Sequence, residues 1–344
     1  MAENEQRDVT AVRLSFVVPV HNEAEGLASF YAQLRDAAER LDEPFEIVFV
    51  NDGSTDESPQ IIRKLHDDDD RVRCLDLSRN FGHQEALTAG YDFAAGAAVV
   101  TLDADCQHPP EVIGELVKKW RQGYEVVYTV KRGDPQVSAL RRAAVKCVYR
   151  LISLMTGMDV ADQADFRLLD RKAVEAIRRT RERSRFLRGL VRWVGFRQVA
   201  VEYDPAPRQA GTPSYTLAKL ARMGSAGLFN FSVRPLRLIG LLGGLMLVVA
   251  LLYAVVALIL WPLVGTSLIA NLAMLYVGLT GLVLAALGLQ AEYVGRIYEE
   301  VKNRPIYIVR EAVGFESQQA QRPPEPAPAR TAPPVEPSHI RLFT

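Results

Sequence analysis

The chain has 344 residues, 49% apolar and 24% charged, with 41 Lys+Arg against 41 Asp+Glu. That length holds one large domain or two ordinary ones of globular average composition. The zero net charge conceals a partition, because residues 1–130 carry 12 Lys+Arg against 25 Asp+Glu and residues 131–237 carry 22 against 9. The basic block lies just before two long uncharged stretches, where it faces anionic lipid headgroups or a phosphorylated substrate. Nucleic acid is disfavoured as its partner, since the block adjoins apolar spans and carries no nucleic-acid motif.

The N-terminus, MAENEQRDVTAVRL, is polar and acidic and shows no secretory pattern, so the first domain is expected in the cytoplasm. Residues 1–11 are read as flexible and 12–213 as the catalytic domain. Apolar β-rich runs predict strands at Arg13–Pro19, Phe45–Val50, Val72–Leu77, Ala98–Leu102 and Glu125–Val130. Helical patterns fall between them at about Ala24–Leu41, Glu57–Leu65, Gln84–Ala95 and Pro110–Gln122. Near-continuous apolar strands separated by helices predict an α/β fold with a mostly parallel sheet covered on both faces. In such sheets the ligand sits beyond the carboxyl ends of the strands.

Val137 to Gly195 reads as helical and Arg-rich, and most of the Arg178–Arg192 run as a solvated or lipid-facing surface. A short strand is expected at Val199–Tyr203, then a Pro- and Gly-punctuated loop, DPAPRQAGTPSY. Residues 214–235 are expected to form an amphipathic juxtamembrane helix, although packing on the domain gives the same pattern. Leu238–Trp261 holds 24 uncharged residues and Leu268–Leu289 holds 22. About 20 helical residues cross a hydrocarbon core of roughly 30 Å, so residues 236–291 read as a two-helix transmembrane hairpin. Arg234 and Arg237 before it, and Arg296, Lys302 and Arg304 after it, place both flanks in the cytoplasm and the uncharged link Pro262–Ser267 outside. Residues 292–315 are expected as a cytoplasmic helix and short strand, and 316–344 as a disordered Pro-rich tail. Cys74, Cys106 and Cys147 are far apart and form no CxxC pair, which fits free thiols in a reducing compartment.

The chemistry-bearing residues follow the strands. The first strand runs into Pro19-Val20-His21-Asn22-Glu23 and the second into Asn51-Asp52-Gly53-Ser54-Thr55-Asp56. Asp52 is placed to accept hydrogen bonds from a nucleobase or ribose; the alternative is an Asx turn capping the next helix through Ser54 or Asp56. The fourth strand ends in Asp103-Ala104-Asp105-Cys106-Gln107-His108. Two carboxylates there converge on one hard divalent cation, Mg²⁺ or Mn²⁺, which neutralises a diphosphate leaving group. His108 reads as structural rather than as a ligand.

The ordered set VVPVHNEAEGL, VNDGSTDES, LSRNFGHQEALTAGYDFAAG and LDADCQHPPE resembles glycosyltransferase family 2. Within it the chain is similar to the polyisoprenyl-phosphate glycosyltransferases, the branch of dolichyl-phosphate mannose synthase and bacterial GtrB. The similarity continues through ADFRLLDR, RFLRGL, RQAGTPSY and EYVGRIYEEVKNRPIYIV, covering about residues 12–310. The resemblance implies a GT-A (Rossmann-like) catalytic domain followed by two transmembrane helices, and an inverting displacement at the sugar's anomeric carbon. It implies that Pro19, Asn22, Glu23, Asp52, Asp103 and Gln107 bind the nucleotide sugar. Asp103 and Asp105 would hold the metal, with Asp105 and Asp165 at the reaction centre. By a looser match Arg132 and Arg141 contact the acceptor phosphate. Cys106 stands where Leu is usual and Ala164 where Gly is common; both are small substitutions.

A phosphate acceptor is already anionic, so cations holding two negative substrates together matter more than a strong base. Asp165 then orients the acceptor or an arginine, or is simply ion-paired with Arg167 or Arg171. The favoured donor is UDP-glucose and the favoured acceptor undecaprenyl phosphate in the plasma membrane. GDP-mannose and UDP-linked amino sugars stay open, as does a homo-oligomeric state. A processive polysaccharide synthase is disfavoured because Gly189 replaces Gln in Q-x-x-R-W. Retention of the acidic residues argues against a dead sugar-binding scaffold, and the absence of G-x-G-x-x-G and of a P-loop argues against a dinucleotide enzyme.

Overall fold

The computed structural model describes residues 13–105, 108–109, 111–131, 150, 153, 163–183, 185–204, 234–264 and 268–315. Four expected segments lie wholly or almost wholly outside them: the N-terminus 1–11, the loop DPAPRQAGTPSY beyond residue 204, nearly all of the juxtamembrane helix 214–235 and the tail 316–344.

Among the described residues eight strands form one sheet in the order β7-β5-β6-β4-β1-β2-β3-β8. They are β1 Leu14–Val20, β2 Phe45–Asn51, β3 Val72–Leu77, β4 Ala98–Thr101, β5 Val126–Lys131, β6 Gln163–Asp170, β7 Gln198–Tyr203 and β8 Val309–Val313. The intervening helices are α1 Ala24–Glu39, α2 Ser58–Asp68, α3 His83–Phe93, α4 Glu111–Arg121, α5 Arg171–Arg179 and α6 Leu187–Trp193. β1 pairs in parallel with β2 and β4, β2 with β3, and β5 with β7. The α/β architecture with a mostly parallel sheet is therefore as read from the sequence. The two antiparallel members, β6 and β8, are additions to it.

Period-two side-chain alternation divides the core between the two faces of the sheet. Phe16, Val18, Ile47 and Phe49 pack under α1, α2 and α4 through Leu27, Leu34, Ile62 and Leu116. Val17, Val48, Val50 and Val99 face α3, α5 and α6 through Leu87, Tyr91, Val174 and Leu190. Both faces being buried, the strands read as continuous apolar runs. The strand order reverses at β1, which has β2 on one side and β4 on the other, so a crevice opens beyond their carboxyl ends.

The stretch read as helical from Val137 to Gly195 contains β6, inserted antiparallel between β4 and β5. Its alternation puts Phe166 and Leu168 in one core layer and Leu169 in the other. The pattern was obscured because Asp165 and Arg167, on the Leu169 side, are polar yet inside, Arg167 being 1% exposed.

After β7 the chain forms two long helices packed against each other, α7 Arg234–Val264 and α8 Leu268–Val301. α7 runs through Pro262, so the link is shorter than expected. α8 continues unbroken past residue 291, so the helix expected from residue 292 is its extension. Their apolar side chains lie open, Leu241 and Tyr276 each being 71% exposed. Among the described residues one stretch, Asn271–Val301, is long and apolar enough to cross a bilayer; the apolar stretch in α7, Ile239–Tyr253, is shorter.

α3 lies so close to β1 that a Cβ on Gly90 would sit 2.1 Å from Cγ1 of buried Val17. Gly90→Ala is expected to destabilise the protein by about 1–3 kcal/mol through overpacking, read as a lower unfolding temperature. Gly26→Ala, where a Cβ meets nothing within 4 Å, is the matched control.

Candidate active site

The loops after β1 and β2 are sewn to each other. Asn22 adopts a left-handed conformation with φ of 56°, donates its backbone N–H to Ser54 Oγ (3.0 Å) and accepts the Thr55 N–H at Oδ1 (2.8 Å). Glu23 N–H donates to Ser58 Oγ at 3.1 Å, and Asp56 accepts the N–H groups of Ala24 and Ser58. Asn51 accepts the Ser54 N–H (3.1 Å) and donates to Asp76 Oδ1 (2.6 Å). Pro19 is buried in β1 opposite Val50.

Asp52 is buried, and each carboxylate oxygen accepts one backbone N–H, from Phe81 at 2.7 Å and from Gly82 at 3.0 Å. Its first task is thus to fasten the loop 78–82, which opens α3. Gly53, at φ 62°, lets that loop pass, since a Cβ there would lie 2.3 Å from the Asn80 nitrogen. His21 stands between them, with Nδ1 2.9 Å from the Asp52 carbonyl oxygen and Nε2 3.1 Å from Asn80 Nδ2.

The second group forms where β4 meets β6. Thr101 is the register partner of Arg167, so antiparallel pairing brings Asp165, two residues earlier, alongside Asp103, two residues later. His83, the first residue of α3, joins them: its Nε2 lies 3.6 Å from Asp103 Oδ1 and 3.7 Å from Asp165 Oδ2. His108 approaches Asp103 from the other side, Nε2 to Oδ2 being 3.4 Å, and its Nδ1 is 3.2 Å from Tyr203 Oη. Burial alone would raise the Asp103 carboxyl, but the hydrogen bond from His108 and the charges of His83 and His108 outweigh it and hold it below its ordinary value. Half-buried Asp105 follows in the same turn. Burial, then the charges of both Asp103 and Asp105, push the Tyr203 phenol up, so both carboxylates act on this corner.

Asp165 is clamped by two guanidinium groups. Arg188 donates from Nη2 at 2.7 Å and from Nε at 3.1 Å, and Arg167 donates from Nη2. Burial raises the carboxyl, yet the charges of Arg188 and Arg167 outweigh it and hold the group far below the carboxylate range. A carboxylate so held does not take up a proton at neutral pH. The expected ion pair to Arg167 is present. Arg171 instead donates to the Ala94 and Gly96 carbonyls.

Much of the Arg178–Arg192 run is correspondingly half-buried and paired within the fold rather than a solvated surface. Arg188 holds Asp165, Arg181 and Arg178 pair with the enclosed carboxylate of Asp92, and buried Arg185 donates to the Thr180 and Ile177 carbonyls. Gln107, Arg132 and Arg141 lie outside the described residues. His83 and Arg188 were missed in the sequence; the signal for His83 was its place in NFGHQEA, just after a strand. Among the described residues no three His, Cys, Asp or Glu side chains form a ready metal cage.

Asp165→Asn leaves buried Arg167 and half-buried Arg188 facing a neutral amide. A loss of about 3–5 kcal/mol is expected, read by unfolding in detergent micelles. Because the folded carboxyl is depressed, its stabilisation is present in full above the unfolded pKa of ~3.9 and lost as pH falls towards the folded value. The wild-type and variant stability curves should therefore lie apart at pH 7 and converge below about pH 4.

The model for glycosyl transferase family 2 matches residues 15–177. The uncharacterised glycosyltransferase YkcC of Bacillus subtilis is 42% identical over 314 residues, 90% of this chain and 97% of that protein. The SfII prophage-derived bactoprenol glucosyl transferase of Shigella flexneri is 36% identical over 312 residues, 88% of this chain and 98% of that protein. Among solved structures, mannosyl-3-phosphoglycerate synthase from Rubrobacter xylanophilus matches with a TM-score of 0.47 at 18% identity, covering 67% of this chain and 75% of that one. With near full-length relatives at these identities, and the family's motifs gathered at the carboxyl ends of β1, β2 and β4, the chain belongs to glycosyltransferase family 2.

Proposed function

We propose that this glycosyltransferase moves glucose from UDP-glucose to a polyisoprenyl phosphate such as undecaprenyl phosphate, at the cytoplasmic face of the membrane. The observation carrying this reading is the match to relatives named bactoprenol glucosyl transferase over 98% of their length, extending through both long apolar helices.

The chemistry of the site supports it. An anionic phosphate oxygen of the acceptor attacks the anomeric carbon, forming the new C–O bond. The bond to the diphosphate breaks with its electron pair leaving on UDP, and the configuration inverts. No proton has to be removed from such an acceptor, which accords with Asp165 being locked to Arg167 and Arg188. Asp165 holds the two arginines, and through them the wall of the site, in fixed orientation. Asp103 and Asp105 are the residues that would hold Mg²⁺ or Mn²⁺, through hard carboxylate oxygens. When bound, that cation neutralises charge developing on the leaving diphosphate. The β1, β2 and loop 78–82 residues Asn22, Glu23, Asp52 and Asn80 surround the nucleoside side, with Pro19 beneath and Gln107 contributing next to the carboxylates. Arg132 and Arg141 serve the acceptor phosphate.

Radiolabelled UDP-glucose, GDP-mannose and UDP-linked amino sugars, each incubated with membranes and followed by lipid extraction, test donor and acceptor together. Label is expected in lipid from UDP-glucose alone; label from another donor replaces the sugar assignment, and none from any donor sinks the proposal. EDTA should abolish transfer, and Asp103→Asn should lower kcat/KM by ~100-fold or more, comparable with removing a preorganised electrostatic contact. Full activity in EDTA would exclude the metal.

The anchoring proposed here is a two-span hairpin of α7 and α8, with both termini cytoplasmic. Ser267→Cys is expected to react with an impermeant thiol reagent added outside intact cells, and Ser214→Cys to be protected. The reverse labelling pattern inverts the orientation.

A further inference from the structure

The segment that follows α8 does not trail away from the sheet but returns to it, holding the last residues of α3 and the loop that leads into that helix. At the far end Tyr307 Oη donates to Asp92 at 2.7 Å, and the Phe315 ring lies edge-on to Phe93 at 5.2 Å. Asp92 is held in turn by Arg181 through two bonds of 2.7 and 2.9 Å. Burial and then the charge of Asp92 push the Tyr307 phenol up, keeping it a neutral donor. At the near end Ser78, first residue of the loop 78–82, donates its N–H to the Ile308 carbonyl (2.9 Å) and accepts from Arg310 Nη2 at its own carbonyl (2.7 Å).

A bulge produces the second of these bonds. In the antiparallel β3–β8 ladder Asp76 partners Glu311 and Leu77 partners Val309, so Arg310 is the extra residue. Bulges re-aim a side chain and recur beside active sites. Here the guanidinium turns onto the Ser78 carbonyl and towards Asp76, with Nη1 3.4 Å from Oδ2. The other oxygen of Asp76 accepts from Asn51 Nδ2 at 2.6 Å, and Asn51 Oδ1 holds the Ser54 N–H. A continuous set of contacts thus joins Arg310 to the loop after β2. The loop it grips directly carries Asn80, is fastened to Asp52 through Phe81 and Gly82, and ends at His83 between Asp103 and Asp165.

We propose that the bulged strand β8, through Arg310 as a positioning residue, sets the loop 78–82 and so the donor side of the site. This rests on the reading of that side as the nucleotide-sugar pocket. The link makes nucleotide affinity depend on the seating of a segment joined directly to the end of α8.

The test uses full-length protein in micelles, with wild type, Arg310→Ala and Arg310→Lys compared. UDP affinity in the presence of Mn²⁺ is read by calorimetry, amide hydrogen exchange over residues 78–84 by mass spectrometry, and KM for the lipid phosphate by transfer assay. Arg310→Ala should weaken UDP by roughly fivefold, in keeping with loss of charge-assisted contacts made by an exposed guanidinium. Exchange should accelerate in 78–84 while β1 and β2 and the lipid-phosphate KM stay unchanged, and Arg310→Lys should recover part of both losses. Unchanged UDP affinity and unchanged loop exchange overturn the proposal. So does exchange that rises across the whole sheet with both substrates weakened alike, since that marks simple destabilisation. Wild-type protein that binds no UDP, with loop exchange still accelerated by Arg310→Ala, overturns the donor reading and upholds the fastening of the loop.

Discussion

A carboxylate largely withdrawn from water at the mouth of a sheet has to be neutralised where it stands, and Asp165, with its side chain 11% exposed, imposes that requirement on everything around it. Leaving it unpaired would cost several kcal/mol, so two arginines are committed to it from different parts of the chain. Arg167 comes from the same strand and Arg188 from α6, whose Leu187, Leu190 and Val191 are buried against the sheet. The register of β6 on β4 is thereby fixed by charge as well as by apolar alternation. A slip of one residue would send Asp165 and Arg167 into the layer now occupied by Phe166 and Leu168.

That register determines what the site is able to do. It sets Asp165 beside Asp103 with His83 between them, while keeping Asp165 in its ionised form. Asp165 therefore stands in the crevice as a fixed negative charge, already matched by Arg167 and Arg188. The two loops on the opposite side are held almost wholly by side chain to backbone hydrogen bonds, from Asn22, Asp52 and Asp56. Short polar residues at strand ends here shape the backbone first, and present a pocket only as a consequence of that shape.

The first five strands and first four helices were legible in the sequence to within a few residues. There the apolar runs are buried on both faces and bounded by polar turns. The acidic residues after β4 were legible for the same reason, since strand ends in such a sheet point to the crevice. β6 was not, because its charged residues satisfy each other inside and so broke the apolar pattern that marks a buried strand. Arg188 was hidden among arginines that look alike in sequence; only tertiary pairing separates it from Arg181, which serves Asp92. The unbroken length of α8 was missed because polarity changes along it at Glu292 while its helical hydrogen bonding does not.

The pairing of β3 with β8 has a consequence for how the molecule is made. Asp76 and Arg310 are 234 residues apart, and everything between them, including both long apolar helices, leaves the ribosome before they meet. Until then β3 is a bare sheet edge, with unpaired backbone groups open to other chains. A nascent catalytic domain therefore waits with its outermost strand uncovered, and closure of that edge is among the last steps of folding. Contacts so distant along the chain also form slowly, since the loop between them must close first. Truncated or stalled products that end before residue 309 would carry an otherwise well-packed domain with a sticky margin, and quality control would meet them as aggregation-prone species.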